Sequence, residues 1–153
     1  MMEITKVAIA SDHGGFLLKE KLKDYLGRKR IQVKDFGAYS DERCDYPKTA
    51  FSLSDAVSRG KIKKGILICK SGIGNSIVAN KLPGVRAALC YNARAARLSR
   101  EHNDSNILVL GSLFAGEKLA KRIVDIWLKT EFQGGRHQKR LNQIKAIERK
   151  VRS

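Results

Sequence analysis

Ile66-Leu67-Ile68-Cys69-Lys70-Ser71-Gly72-Ile73-Gly74-Asn75-Ser76 decides how this chain is read. An apolar run ends in a cysteine, a small glycine-rich turn follows, and a helical pattern begins. The spacing predicts a buried strand, a tight turn and a helix, with the thiol at the strand's carboxyl end. The first amides of a helix lack internal partners and carry the positive end of its dipole, so such a turn favours anions. The same field is expected to lower the thiol pKa. A base beside an oxyanion site is the start of a catalytic hypothesis. By itself a free cysteine is a small buried hydrophobe, and the turn leaves both roles open for Cys69.

Working outward, strands and helices alternate. Val7 to Ala10 reads as a first strand, and a helical pattern runs through Phe16, Leu17, Leu18, Leu22, Tyr25 and Leu26. Ile31 to Val33 is the second strand, closed by Gly37. Pro47 suits the first turn of a helix carrying Ala50, Phe51, Leu53 and Val57. Gly65 to Cys69 is the third strand, followed by a helix from Ile73 to Lys81. Val85 to Cys90 is the fourth strand, followed by a helix from Ala93 to Glu101. Ile107 to Leu110 is the fifth, ended by Gly111. Ala115 to Thr130 is a long helix, and a last one spans roughly Gln138 to Val151. Short, wholly apolar strands between helices predict α/β architecture: one doubly wound, five-stranded parallel sheet, Rossmann-like, flanked by helices. Residues 1–153 are read as one domain, without repeats or linkers. The last helix follows Gln133-Gly134-Gly135 and has a narrow apolar stripe, which suits packing on a partner chain.

Bulk properties narrow the class. The chain has 153 residues, 42% hydrophobic and 30% charged, with no apolar run near the ~20 residues that span a membrane. Met1 to Lys6 lacks the apolar core of a signal peptide. The three cysteines, Cys44, Cys69 and Cys90, fit neither a disulfide framework nor a zinc site, which suggests a reducing cytoplasm. Thirty-one Lys and Arg against 15 Asp and Glu give a net charge of +16. That charge permits nonspecific contact with nucleic acid and would attract a phosphorylated substrate. Most of the cations, including Lys19, Lys21 and Lys23, fall at polar positions of helical patterns and read as solvated faces. No nucleic-acid-binding motif or aromatic stacking pattern accompanies them.

In an open α/β sheet, ligands bind at the carboxyl ends of the strands. The loops assigned there are Ser11-Asp12-His13-Gly14-Gly15, Cys44-Asp45-Tyr46-Pro47, Cys69 to Gly74, Tyr91-Asn92, and His102-Asn103-Asp104 before the fifth strand. Asp12 and His13 look functional at a loop tip. His102 to Asp104 suits equally a site or a helix C-cap. Cys90 reads as core and Cys44 as packing or partly exposed. Arg136 and Arg140, four apart, suit either a phosphate clamp or a solvated basic face. Gly72-Ile73-Gly74 has only two glycines of a dinucleotide fingerprint.

Taken together, these residues resemble the ribose-5-phosphate isomerase type B family, which also holds galactose- and allose-6-phosphate isomerases. The resemblance rests on Ser11-Asp12-His13-Gly14-Gly15, Asp45-Tyr46-Pro47, Cys69 with Ser71-Gly72-Ile73-Gly74, Asn80-Lys81, Gly84 to Ala87, Ser99 to Asp104, and Gly134 to Arg140. It implies aldose–ketose isomerisation of a phosphorylated sugar without metal or cofactor. The leading substrate pair is ribose 5-phosphate and ribulose 5-phosphate, in pentose phosphate metabolism. A 6-phosphohexose is the alternative, and a nucleic-acid-binding protein is a third reading. Under the resemblance, Cys69 moves a proton between C2 and C1 through a cis-enediolate, and the Lys70, Ser71, Gly72, Ile73 and Gly74 amides hold its oxygen. His102 opens the ring. Asp12, His13, Tyr46 and Asn103 belong to the substrate site, and Arg136 and Arg140 hold the phosphate. The family's site lies between two chains, which implies a homodimer or a tetramer of dimers. Lys70 stands where the family usually has glycine, Ser71 where it has threonine, and Leu113 where some members have arginine. Lys70 is expected to face solvent, since a lysine in the enediol path would crowd the sugar.

Overall fold

The apolar pentapeptide Gly65–Cys69 is β3, the centre of the sheet, and every one of its residues is buried. The computed structural model describes residues 6–152. Around β3 stand β1 (Lys6–Ser11), β2 (Gln32–Asp35), β4 (Ala87–Leu89) and β5 (Ile107–Gly111). Their order is β2-β1-β3-β5-β4, and every pairing is parallel. The helices are α1 (Phe16–Arg28), α2 (Tyr46–Ser58), α3 (Ile73–Ala79), α4 (Ala93–Asn103), α5 (Glu117–Lys129) and α6 (Arg136–Arg152). A short 3-10 turn, His13–Gly15, joins β1 to α1.

Both faces of the sheet are covered, which is why its central strands are apolar throughout. Val7, Ile9, Ile66, Ile68, Leu108 and Leu110 pack with α1, α4 and α5 residues such as Leu22, Ala96, Ile123 and Trp127. Ala8, Ala10, Leu67, Ile107 and Val109 face the other way, onto Ala50, Leu53 and Ala79 of α2 and α3. Alternate residues of one strand thus feed two core layers. The chain turns one way from β1 to β2 and the other way to β3, so the crevice between the carboxyl ends of β1 and β3 is the switch point of the sheet.

Several boundaries differ from the sequence expectation, for identifiable reasons. β2 starts at Gln32 because the Ile31 N–H instead closes the end of α1 on the Leu26 carbonyl, at 3.0 Å. β4 shrinks to Ala87–Leu89 because the Arg86 N–H donates to Asn106 Oδ1 at 2.8 Å. α3 stops at Ala79, with Asn80 as its C-cap, and α5 occupies Glu117–Lys129 rather than Ala115 to Thr130. α4 runs on to Asn103 and is closed by Asp104 in the left-handed region, φ 46°.

The charge pattern needs one correction too. Lys19, read as a solvated helix position, is fully buried. Its ammonium donates to both oxygens of Asp35 at 2.8 Å and also to the Ala38 carbonyl. Asp35 in turn accepts from the Gly37 N–H. A buried ammonium is tolerated because it is paired and hydrogen-bonded. Burial pushes the Asp35 carboxyl up, but the hydrogen bonds from Lys19, Lys23 and the Gly37 amide outweigh it and hold the pKa below its ordinary value. No described helix is long and apolar enough to cross a membrane.

Candidate active site

Cys69 ends β3 and is 5% exposed. The next residues cannot extend the strand: Gly72, at φ +84°, turns the chain into α3. The Gly72 N–H donates to Cys69 Sγ at 3.1 Å. The thiol's pKa is nevertheless raised. Burial is the largest influence and pushes it up; the Asn75, Gly72 and Ser71 amides pull it down, and the Asp12 charge pushes it up again. The sequence expectation of a lowered thiol pKa is therefore overturned. The turn supplies the expected field, but the apolar strand end that makes the turn possible also desolvates the sulfur. Cys90 is buried, with its thiol pushed up to about 11 by burial, and Cys44 is partly exposed.

Across the switch point stands the β1 loop. Asp12 is 6% exposed, and its Oδ1 accepts the Gly15 N–H at 3.0 Å, capping the 3-10 turn. His13 Nδ1 lies 3.1 Å from the Cys44 carbonyl and 3.2 Å from the Cys44 N–H, so the Cys44 backbone holds the ring in either tautomer. Tyr46, at the start of α2, lies against Gly74, where an added Cβ would sit 2.5 Å from the phenol Cζ. Gly74 is required for that close approach. Lys70 is exposed, and its stem lies across Gly14. The structure thus brings Asp12, His13, Tyr46 and the Cys69–Gly74 turn together at one edge of the sheet.

His102, Asn103, Arg136 and Arg140 are not in that cluster. His102 and Asn103 occupy the last turn of α4, which runs back toward the amino ends of the strands. The Gly65 N–H, at the start of β3, donates to the Asn106 carbonyl at 3.0 Å. Four residue steps of strand separate Gly65 from Cys69, on the order of 13 Å. The placement of His102-Asn103-Asp104 among the carboxyl-end loops is therefore corrected: a helix that crosses back over a parallel sheet must end at its opposite edge. There His102 stacks on His137, with ring centroids 4.3 Å apart. Arg136 and Arg140 lie exposed on the first turns of α6. Burial, then the charges of His102, Arg136 and Arg140, hold the His137 pKa below its ordinary value. Arg100 fastens this second cluster, donating to the Ser105 and Thr130 carbonyls and to Asp104.

Sequence reasoning put Tyr91 in a carboxyl-end loop and singled out Leu113, but gave neither of them, nor Ser112, the bracing role the structure shows. The Ser112 N–H donates to the Cys69 carbonyl at 2.8 Å, and the Leu113 N–H to the Lys70 carbonyl at 3.0 Å. The Tyr91 hydroxyl donates to the Ser71 carbonyl at 3.0 Å. Ser112 Oγ also ties the Gly14 carbonyl at 2.9 Å, joining the β1 and β3 loops through β5. The positions of Ser112 and Tyr91 just past strand ends were the available signal.

A doubly wound sheet with a thiol beside a turn of amides at its switch point, and a basic, histidine-bearing cluster at the opposite edge, marks a class of small α/β proteins suited to anionic ligands. The comparisons specify it. The Ribose/Galactose Isomerase family matches residues 7–144. Ribose-5-phosphate isomerase B of Escherichia coli is 47% identical over 145 residues, covering 95% of this chain and 97% of that protein. A solved ribose-5-phosphate isomerase B of Clostridium thermocellum superposes with a TM-score of 0.94 at 51% identity, covering 95% of this chain and 99% of that one. That of Mycoplasma genitalium, solved with bound ribulose 5-phosphate, gives 0.91 at 40% identity over 97% and 99% of the two chains. The chain belongs to the Ribose/Galactose Isomerase family.

Proposed function

We infer that the protein is a sugar-phosphate aldose–ketose isomerase interconverting ribose 5-phosphate and ribulose 5-phosphate, and that it does so without metal or cofactor. The observation that carries this reading is the Cys69 sulfur held at the switch point, 3.1 Å from the Gly72 amide and within the field of the Ser71 and Asn75 amides. The reaction moves one proton between adjacent carbons and is redox-neutral overall. It requires a base, a set of donors for the developing oxyanion, and an acid to open the ring.

In this mechanism His102 donates a proton to the ring oxygen, the C1–O bond to it breaks, the C1 hydroxyl gives its proton to solvent, and the sugar opens to its aldehyde. The Cys69 thiolate removes the C2 proton, the electron pair moves onto the carbonyl oxygen, and the amides from Lys70 to Gly74 hold the resulting enediolate. The same sulfur returns the proton to C1 while the hydroxyl proton on O2 passes to O1, giving the ketose. Because burial raises the thiol pKa, the thiolate fraction, and with it turnover, increases as pH rises toward that pKa. Asp12, His13, Tyr46 and Asn103 hold hydroxyls, and Arg136 with Arg140 holds the phosphate, as bidentate guanidinium pairs can.

A single chain separates these parts to opposite edges of its sheet, which supports a homodimer in which His102, Asn103, Arg136 and Arg140 of one copy complete the thiol site of the other. Exposed Ile73, Ile77, Leu113 and Phe114 around the thiol turn supply apolar area for such an interface. Exposed Ile144, Ile147 and Val151 on α6 suit packing on the partner as well. Residues 1–153 act as one isomerase domain, a reading supported by the single sheet that all described strands share. Three free thiols support a reducing, cytoplasmic setting.

A coupled assay over ribose, allose and galactose phosphates tests the assignment. Turnover of ribose 5-phosphate is the expected result. Preference for a 6-phosphohexose would reassign the substrate within the same chemistry, and no turnover of any phosphorylated aldose would refute the reading.

A further inference from the structure

We propose that Tyr91 is a positioning residue for the thiol turn: by holding the Ser71 carbonyl, its hydroxyl aims the Gly72 N–H at the Cys69 sulfur. The proposal rests on the isomerase reading only for its kinetic consequence; its structural core stands on the geometry of three successive peptides.

The carbonyls of Cys69, Lys70 and Ser71 each accept a hydrogen bond from outside the turn. The first two take backbone N–H groups of Ser112 and Leu113, at 2.8 and 3.0 Å. The third takes the Tyr91 hydroxyl, at 3.0 Å. A trans peptide is planar, with its C=O and the following N–H pointing opposite ways. Fixing a carbonyl on the outer side therefore fixes the next amide on the inner side. Holding the Ser71 carbonyl sets the Gly72 N–H, which is the amide that meets Cys69 Sγ at 3.1 Å.

Of the three clamps, only this one comes from a side chain. The Ser112 and Leu113 clamps follow from the path of the backbone after β5 and would survive most substitutions. The Ser71–Gly72 peptide needs its clamp most, because Gly72 at φ +84° lacks the side chain that would restrict its rotation. Tyr91 itself is well placed to hold still. Its ring packs against Phe114 at 4.7 Å between centroids, tilted by 32°, and it follows directly on Cys90, whose N–H pairs with the Val109 carbonyl at 3.1 Å.

Tyr91→Phe keeps the ring and its packing on Phe114 and removes only the hydroxyl. The expected result is a kcat about fivefold lower with KM nearly unchanged, the scale of one lost hydrogen bond. The apparent pKa for iodoacetamide alkylation of Cys69, followed by mass spectrometry of its peptide, is expected to rise. The charged group facing the sulfur, Asp12, is the same in both proteins, so the shift reports the amide. Melting temperature is expected to stay within a few degrees of the parent. A Cys69 titration that superimposes on the parent's overturns the proposal whatever the turnover does, because a hydroxyl that only fills space would leave the thiol untouched. Alkylation needs no isomerase activity, so a failed substrate assignment and a failed role for Tyr91 give different results.

Discussion

Replacing Gly72 with Ala separates two costs that positive-φ glycines usually combine. An alanine at φ +84° suffers the left-handed strain of an L-residue, about 1–2 kcal/mol. Its Cβ would also lie 2.5 Å from Leu89 Cδ1 and 3.2 Å from the Leu110 carbonyl carbon and oxygen. The leucine tip swings aside cheaply, but the Leu110 backbone is part of β5 and does not, so overpacking adds about 1–3 kcal/mol. The total is about 3.5 kcal/mol at the midpoint of both ranges. For a chain of this size 1 kcal/mol moves the melting temperature by about 2–4 °C, so Gly72→Ala should melt about 10 °C below the parent. Gly60 is the control, because it has φ +73° and no heavy atom of the described residues within 4 Å of an added Cβ. Gly60→Ala should therefore carry strain alone, a drop of about 5 °C. Calorimetry of the three proteins at matched concentration decides it. Because the misplaced turn carries the Gly72 amide away from the sulfur, Gly72→Ala should also lose isomerase activity beyond its loss of stability, whereas Gly60→Ala should not. Equal melting points for the two variants would refute the packing argument.

Cys69→Ala should cut turnover by about 10²–10⁴ while leaving substrate binding measurable; Cys44→Ala and Cys90→Ala should keep substantial activity, and near-normal turnover in the Cys69 variant would remove the assigned base. Arg136→Ala and Arg140→Ala should each raise KM for the phosphorylated sugar far more than for an analogue without phosphate, and equal losses on both ligands would indicate a defect of folding or assembly instead. Asp35 has a pKa lowered by folding, so the stability it contributes is complete above its unfolded value of about 3.9 and is lost as the pH falls through the folded pKa. The urea midpoints of the parent and Asp35→Asn should accordingly differ most near neutral pH and converge in acid, and a constant difference across that range would contradict the ion-pair account.

What the sequence disclosed and what it hid divide along a physical line. β3, its thiol and the alternation of strands with helices were legible, because burial on both faces writes itself as runs of adjacent apolar residues. Groups satisfied by distant partners were not. Lys19 obeys the helical polar pattern, yet its partner Asp35 lies on β2, sixteen residues away, and that pairing pulls it inside. Tyr91 carries no local sign that its hydroxyl will meet Ser71, twenty residues earlier. The direction of the Cys69 pKa was misjudged for a related reason: a motif shows the dipole of a turn but not the depth of the strand that delivers it. Topology explains the scattered site. In a parallel sheet a strand and the helix after it run in opposite directions, so a residue ending β3 and one ending α4 must lie at opposite edges of one chain. Groups that serve one reaction yet fall at opposite edges of a chain can meet across an interface between copies, and a two-fold one lets each copy give one edge and receive the other. On that argument the separation of Cys69 from His102 and Arg136 supports the proposed homodimer.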